Sequence, residues 1–119
     1  INNLASLLLD HRTDKASVQR ALDLTKLLEG ATDPALLDTV GWAQYRAGAY
    51  GAAVSVLERV VAKDDRPPVY RYHLGMAYLA AGNTAVARQQ LEKALVAGAN
   101  YTGIEDARAA LAKLNASLR

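Results

Sequence analysis

GWAQYRAGAYGAA, residues 41–53, is rich in helix-forming residues but contains glycines seven residues apart, Gly41 and Gly48. A glycine inside a helix costs about 0.5–1 kcal/mol relative to alanine. The stretch GMAYLAAGNTAVA, residues 75–87, contains the same spacing 34 residues later, at Gly75 and Gly82. Costly glycines at one repeated spacing indicate a repeated structural unit, in which each glycine has a defined position.

Other residues follow the same shift of 34 positions. The matching pairs are Pro34/Pro68, Ala43/Ala77, Ala53/Ala87, Leu57/Leu91 and Glu58/Glu92. A fixed period of about 20–50 residues is typical of architectures in which repeats stack on one another. The composition favours helix, because alanine and leucine dominate and phenylalanine is absent.

These residues resemble the tetratricopeptide repeat, a 34-residue pair of antiparallel helices. The family pattern is matched at Leu74, Gly75, Tyr78, Gly82 and Ala87, and the preceding unit departs from it by placing Gln44 where the aromatic residue belongs. The resemblance implies an all-α fold, an α–α superhelix or right-handed solenoid of three helix hairpins plus a C-terminal capping helix. Seven helices are therefore expected.

The chain is expected to form a single repeat domain over residues 1–119, as a piece of a longer protein. A degenerate repeat would occupy 1–33, followed by repeats over 34–67 and 68–101 and by the capping helix over 102–119. The degenerate unit is expected to contain a longer turn, with about three inserted residues in RTDKAS, residues 12–17.

The repeat also assigns roles to the glycines and to the helix ends. Gly41 is expected at the crossing of two helices, facing Ala53, and Gly75 at the equivalent crossing, because small residues allow a close approach. Gly48 and Gly82 are expected to close the first helix of each hairpin at positive φ. Further signals are an N-cap at Asp33 before Pro34 and a capping box over Thr102–Glu105.

Composition and charge argue against several classes of function. The 119 residues carry 14 basic and 12 acidic side chains, which are scattered along the chain, and include no cysteine. A nucleic-acid-binding protein would need a basic stripe, and a membrane span would need a long apolar run. We therefore expect no nucleic-acid partner and no direct membrane insertion of this fragment.

No motif in the chain predicts catalysis. The two histidines, His11 and His73, lie 62 residues apart, and no second histidine stands at metal-ligand spacing. A structural or groove-lining role is the preferred interpretation of His73, and His11 suits the end of a helix, where a cation is favourable. We therefore expect no enzyme activity, no cofactor and no metal site.

The resemblance implies a concave groove lined by the first helix of each repeat. The residues predicted to bind a partner there are Asp38, Trp42, Tyr45, Arg46, Tyr72, Met76 and Leu79. In the degenerate unit, the closest equivalents are Asn2, Ser6, Leu9 and Asp10. Aromatic, methionine and arginine side chains are common anchors of protein-binding sites. The alternative interpretation is that Trp42 and Met76 are ordinary core residues between neighbouring helices.

The expected function is that of a scaffold that binds a protein, as a peptide or a helix, in this groove. Two alternatives remain open: self-association or end-to-end stacking through the N-terminal face, and an accessory role in a larger protein. The chain also resembles bacterial repeat proteins, some linked to exopolysaccharide export or exosortase systems, which favours the periplasm or an outer-membrane attachment over the cytoplasm. In some family members a carboxylate clamp binds C-terminal tails, but its positions hold Asp38, Trp42, Val69 and His73 here, so no such binding is expected.

Overall fold

The computed structural model describes residues 2–28 and 30–117. Within these ranges all regular structure is helical, with seven α-helices and one short 3₁₀ helix, which confirms the prediction of an all-α fold with seven helices. The α-helices are α1 (Asn2–His11), α2 (Lys15–Thr25), α3 (Pro34–Arg46), α4 (Tyr50–Lys63), α5 (Pro68–Ala80), α6 (Thr84–Ala94) and α7 (Ile104–Ala116), and the 3₁₀ helix is Lys26–Leu28.

The helices pack against their near neighbours in the sequence. Each α-helix contacts the next one, and the odd-numbered helices also contact one another in succession: α1 with α3, α3 with α5, and α5 with α7. The odd-numbered helices therefore form a row, and the even-numbered helices pack behind it. The molecule measures 44 × 30 × 26 Å along its principal axes.

The turns of the second and third hairpins have the same geometry. Gly48 has φ of +88° and donates its backbone N–H to the carbonyl of Tyr45, at 3.0 Å. Gly82, 34 residues later, has φ of +92° and donates to the carbonyl of Leu79, at 3.1 Å. Positive φ favours glycine because it has no side chain to clash with the backbone. The predicted role of both glycines is confirmed.

The glycines at the helix crossings face leucine, which corrects the expected contact with alanine. A Cβ atom added at Gly41 would lie 2.6 Å from Cγ of Leu57, and one added at Gly75 would lie 2.9 Å from Cγ of Leu91. Ala53 is fully buried but is not among the nearest neighbours of that added atom. The small residues at 41 and 75 thus accommodate a large buried side chain from the second helix of each pair.

Two other local expectations are wrong, whereas the cap at Asp33 is confirmed. The Asp33 carboxylate accepts a hydrogen bond from the backbone N–H of Ala35, at 2.8 Å. No capping box forms at Thr102, because α7 begins after Gly103, which has φ of +97° and makes no side-chain cap. The turn between α1 and α2 spans residues 12–14 and is as long as the other two hairpin turns, so the expected insertion is absent from it.

Candidate functional site

Most of the residues predicted to form the groove meet around one open cavity of about 450 Å³ on the row of odd-numbered helices. Five of the seven predicted residues line it: Trp42, Tyr45, Arg46, Tyr72 and Met76. The remaining lining residues come from α1 and its following turn and from α7: Asp10, Thr13, Asp106 and Ala109. The cavity is thus bounded by α3 and α5 at its centre and by α1 and α7 on its sides.

The floor of this cavity is aromatic and belongs to the core. Trp42 is 7 % exposed and Tyr72 is 4 % exposed. The ring of Trp42 stacks on Tyr45, with centroids 4.6 Å apart, and on His73, with centroids 4.0 Å apart. Tyr45 and Met76 are only partly buried and present more of their surface to the cavity. A partner would therefore contact Tyr45 and Met76, while Trp42 and Tyr72 hold the floor in place.

Arg46 holds α1 against α3. Its guanidinium donates to the backbone carbonyl of Leu9 through Nη1 and to that of Arg12 through Nη2, the latter at 3.0 Å. These carbonyls lie at the C-terminal end of α1, where a cation is favoured by the helix dipole. The sequence placed Arg46 in the groove as a binding residue, and the structure gives it a second role in positioning the α1 wall.

Asp38 and His73 form a buried pair that joins α3 to α5. Nδ1 of His73 lies 2.9 Å from both carboxylate oxygens of Asp38. The pair lines a second cavity of about 150 Å³, together with Ser6 and Thr39, whose hydroxyl oxygens are 3.4 Å apart. An Asp–His pair can orient an imidazole as a base, but this one is buried between two helices and Ser6 is paired with Thr39. Its geometry is that of a structural tie.

The last two predicted positions lie elsewhere. Leu79 packs against the hydrophobic core as a partly buried side chain and is not among the residues that line either cavity. Asn2, proposed as a groove residue of the first unit, has a buried side-chain oxygen without a hydrogen-bond partner. Ser6, Leu9 and Asp10, by contrast, do line the smaller cavity.

The contribution of α7 was missed by the sequence analysis, which expected Asp106 to face water. One signal could have revealed it: adding 34 to the groove positions Val69 and Tyr72 gives Gly103 and Asp106. Both line a recess of about 130 Å³ that adjoins Tyr72 and also includes Asp10. A Cβ added at Gly103 would lie 2.6 Å from the Tyr72 ring, so the start of α7 packs directly on the aromatic floor.

Asp10 and Asp106 determine the electrostatics of the cavity. Burial raises the pKa of Asp10 above its ordinary value, while the positive charges of His73, His11 and Arg46 act in the opposite direction. Burial also raises the pKa of Tyr72, and the Asp106 carboxylate adds to that effect. Tyr72 therefore stays a neutral phenol across the physiological pH range.

Two searches of the described residues, 2–28 and 30–117, gave no positive result. No group of three or more histidine, aspartate or glutamate side chains there is arranged to hold a metal ion. No helix in these ranges combines the length and the apolar character needed to cross a bilayer.

Comparisons of the chain with protein-family models, with curated proteins and with solved structures give no match.

Proposed function

We propose that the chain is a tetratricopeptide-repeat domain that binds a protein segment, as a peptide or a helix, in the cavity along α1, α3, α5 and α7. In this proposal the three helix pairs and α7 form a right-handed superhelical stack, and the domain acts as a non-catalytic scaffold. The 34-residue period supports it, since the sequence pattern, the glycine turns and the glycine–leucine contacts all follow that period.

One observation carries the functional part of the proposal. Five residues selected from the sequence as groove positions, from Trp42 to Met76, line a single open cavity. Tyr45 and Met76 offer aromatic and thioether surface there, which is the chemistry of protein-binding hot spots. The rigid floor beneath them favours binding, because little side-chain freedom is lost when a partner docks.

The test uses the half-buried residues, since replacing Trp42 or Tyr72 would disrupt the core. Peptides selected from a displayed random dodecapeptide library on the immobilised domain would be measured by fluorescence polarisation. We expect Met76→Glu to weaken binding at least about tenfold, a loss of about 1.4 kcal/mol. Val96→Glu is the matched control, because Val96 is 51 % exposed and lies outside the cavity. Equal affinity for the wild type and Met76→Glu would refute the groove as the binding site.

A second candidate function is self-association through the α1 end of the row. Leu7 on α1 is 57 % exposed and Leu27 in the 3₁₀ helix is 69 % exposed, which are high values for leucine. Under this proposal a second copy of the chain covers them. Sedimentation equilibrium would then show a mass that rises with concentration and falls to the monomer value in Leu7→Lys. A strict monomer at high concentration would refute it.

The proposed accessory role in a bacterial secretion or polysaccharide-export protein is supported by the sequence resemblance alone. It is independent of the peptide-binding proposal, because a groove can serve either setting.

A further inference from the structure

We infer that the protein segment bound in the cavity is basic, and that one of its lysine or arginine side chains places its cation between Asp10 and Asp106. This inference rests on the proposed function and specifies the chemistry of the partner.

The two carboxylates stand on opposite walls of the same site. Asp10 belongs to α1 and Asp106 to α7, and both line the cavity of about 450 Å³ as well as the smaller recess of about 130 Å³. Neither forms a salt bridge with any of the described residues, although other exposed acids of the chain, such as Asp14 and Glu105, do. Both carboxylates are thus available to an incoming cation.

The one cation that lines the cavity is already engaged. Arg46 donates through both terminal nitrogens to the carbonyls of Leu9 and Arg12, at the negative end of the α1 dipole. Two carboxylates against this single guanidinium leave the lining with one net negative charge. An acidic segment would be repelled by the lining, whereas a basic one would be attracted and oriented.

The floor suits the rest of a basic side chain. Lysine and arginine have apolar stems that lie along hydrophobic surface while the charged end reaches a polar partner. Tyr45 and Met76 provide that surface, and the rings of Tyr45 and Tyr72 can attract the cation through their π faces. The combination of aromatic floor and acidic walls selects a cationic side chain over a purely apolar one.

The environment of Asp10 agrees with this inference. Burial raises the pKa of Asp10, so holding its ionised form in the free protein is unfavourable. A bound cation would reverse that effect and favour the carboxylate. Binding is therefore expected to weaken as pH falls and Asp10 becomes protonated.

The experiment compares two charge-neutral pairs. The dodecapeptide library would be selected on the wild-type domain, and the enriched peptides titrated against Asp10→Asn/Asp106→Asn and against the control Asp23→Asn/Glu105→Gln. The control removes the same two charges, one of them from the same first turn of α7, but from positions outside the cavity. Circular dichroism would verify equal helix content in all three proteins.

We expect the selected peptides to be rich in lysine and arginine. The cavity variant should bind them at least about tenfold more weakly than the wild type, and the control variant should bind them within about twofold. A second selection, on Asp10→Lys/Asp106→Lys, should enrich acidic peptides instead.

Three results would contradict the inference, and they separate it from the proposal on which it rests. Peptides that lack basic residues but lose affinity in Met76→Glu would overturn the charge inference and leave the groove function standing. Basic peptides that bind the cavity variant and the wild type equally would do the same if they remain sensitive to Met76→Glu. No enriched peptide, or binding that is insensitive to Met76→Glu, would overturn both.

Discussion

Gly103 is the residue at which the docking of α7 can be tested most directly. It has φ of +97°, and an added Cβ would lie 2.6 Å from Cε2, 2.8 Å from Oη and 2.9 Å from Cζ of Tyr72. Tyr72 is 4 % exposed and its ring lies 5.4 Å from Trp42 and 5.6 Å from Tyr101, so it has little room to move. Gly103→Ala therefore combines an unfavourable backbone conformation with a clash against a fixed ring.

The chain provides a matched control for the backbone part of this effect. Gly98 has φ of +83°, but nothing lies within 4 Å of a Cβ added there. The left-handed conformation costs a non-glycine residue about 1–2 kcal/mol, and both variants incur that cost. Overpacking adds about 1–3 kcal/mol, and only Gly103→Ala incurs it. The free energy of unfolding should thus fall by about 1–2 kcal/mol in Gly98→Ala and by about 2–5 kcal/mol in Gly103→Ala.

The measurement is equilibrium unfolding in urea, followed by circular dichroism and by the fluorescence of Trp42, the single tryptophan of the chain. If the two variants lose the same stability within about 0.5 kcal/mol, the resolution expected for additive effects, the start of α7 does not pack on Tyr72 as described. The assignment of Asp106 to the cavity would then also fail, because Asp106 is positioned by that packing.

Three further predictions concern single interactions between helices. His73→Leu should lower the free energy of unfolding by about 3–5 kcal/mol, because it leaves the Asp38 carboxylate buried without its partner. Asp38→Leu/His73→Leu should recover most of that loss in urea unfolding, and a single variant as stable as the wild type would show that the pair is not a tie. Gln44→Leu should raise the stability by about 1 kcal/mol in the same assay, because the buried side-chain oxygen of Gln44 has no hydrogen-bond partner; a loss of stability would indicate that this oxygen is satisfied. The hydroxyl of Tyr78 donates to Glu58 at 2.5 Å, which, with burial, raises the pKa of Tyr78 from 10.0 to about 12. The stability that Tyr78 gains from this bond should be complete below pH 10 and lost as the pH rises towards 12; carbon-13 NMR of the phenol ring should show Glu58→Gln titrating lower, and an unchanged titration would argue against the bond.

The groove could be predicted from the sequence to the extent that it follows the 34-residue period. That period identified Trp42, Tyr45, Arg46, Tyr72 and Met76 before any coordinates were considered, because residues at equivalent positions of a helical repeat occupy equivalent places. Where the period is broken, the prediction lost accuracy. Leu79 packs against the core.

Local sequence signals also determined the hairpin turns and the Asp33 cap, because they depend on the conformational preferences of a few adjacent residues. The same kind of signal failed at Thr102, where the packing of Gly103 against Tyr72 overrides the capping-box pattern. A local preference of about 1 kcal/mol is easily outweighed by the burial of an aromatic ring.

The sequence by itself determined the helical class, the number of helices and the period that selects one face of α3 and α5. Only the tertiary structure decided which side chains from different helices meet: Asp38 with His73, Arg46 with the end of α1, and Asp10 with Asp106 across one cavity. Helix formation depends on neighbours three and four residues apart, and the sequence displays these directly. The contacts that shape the cavity join residues about 35 or more positions apart, and their geometry exists only after the helices have packed.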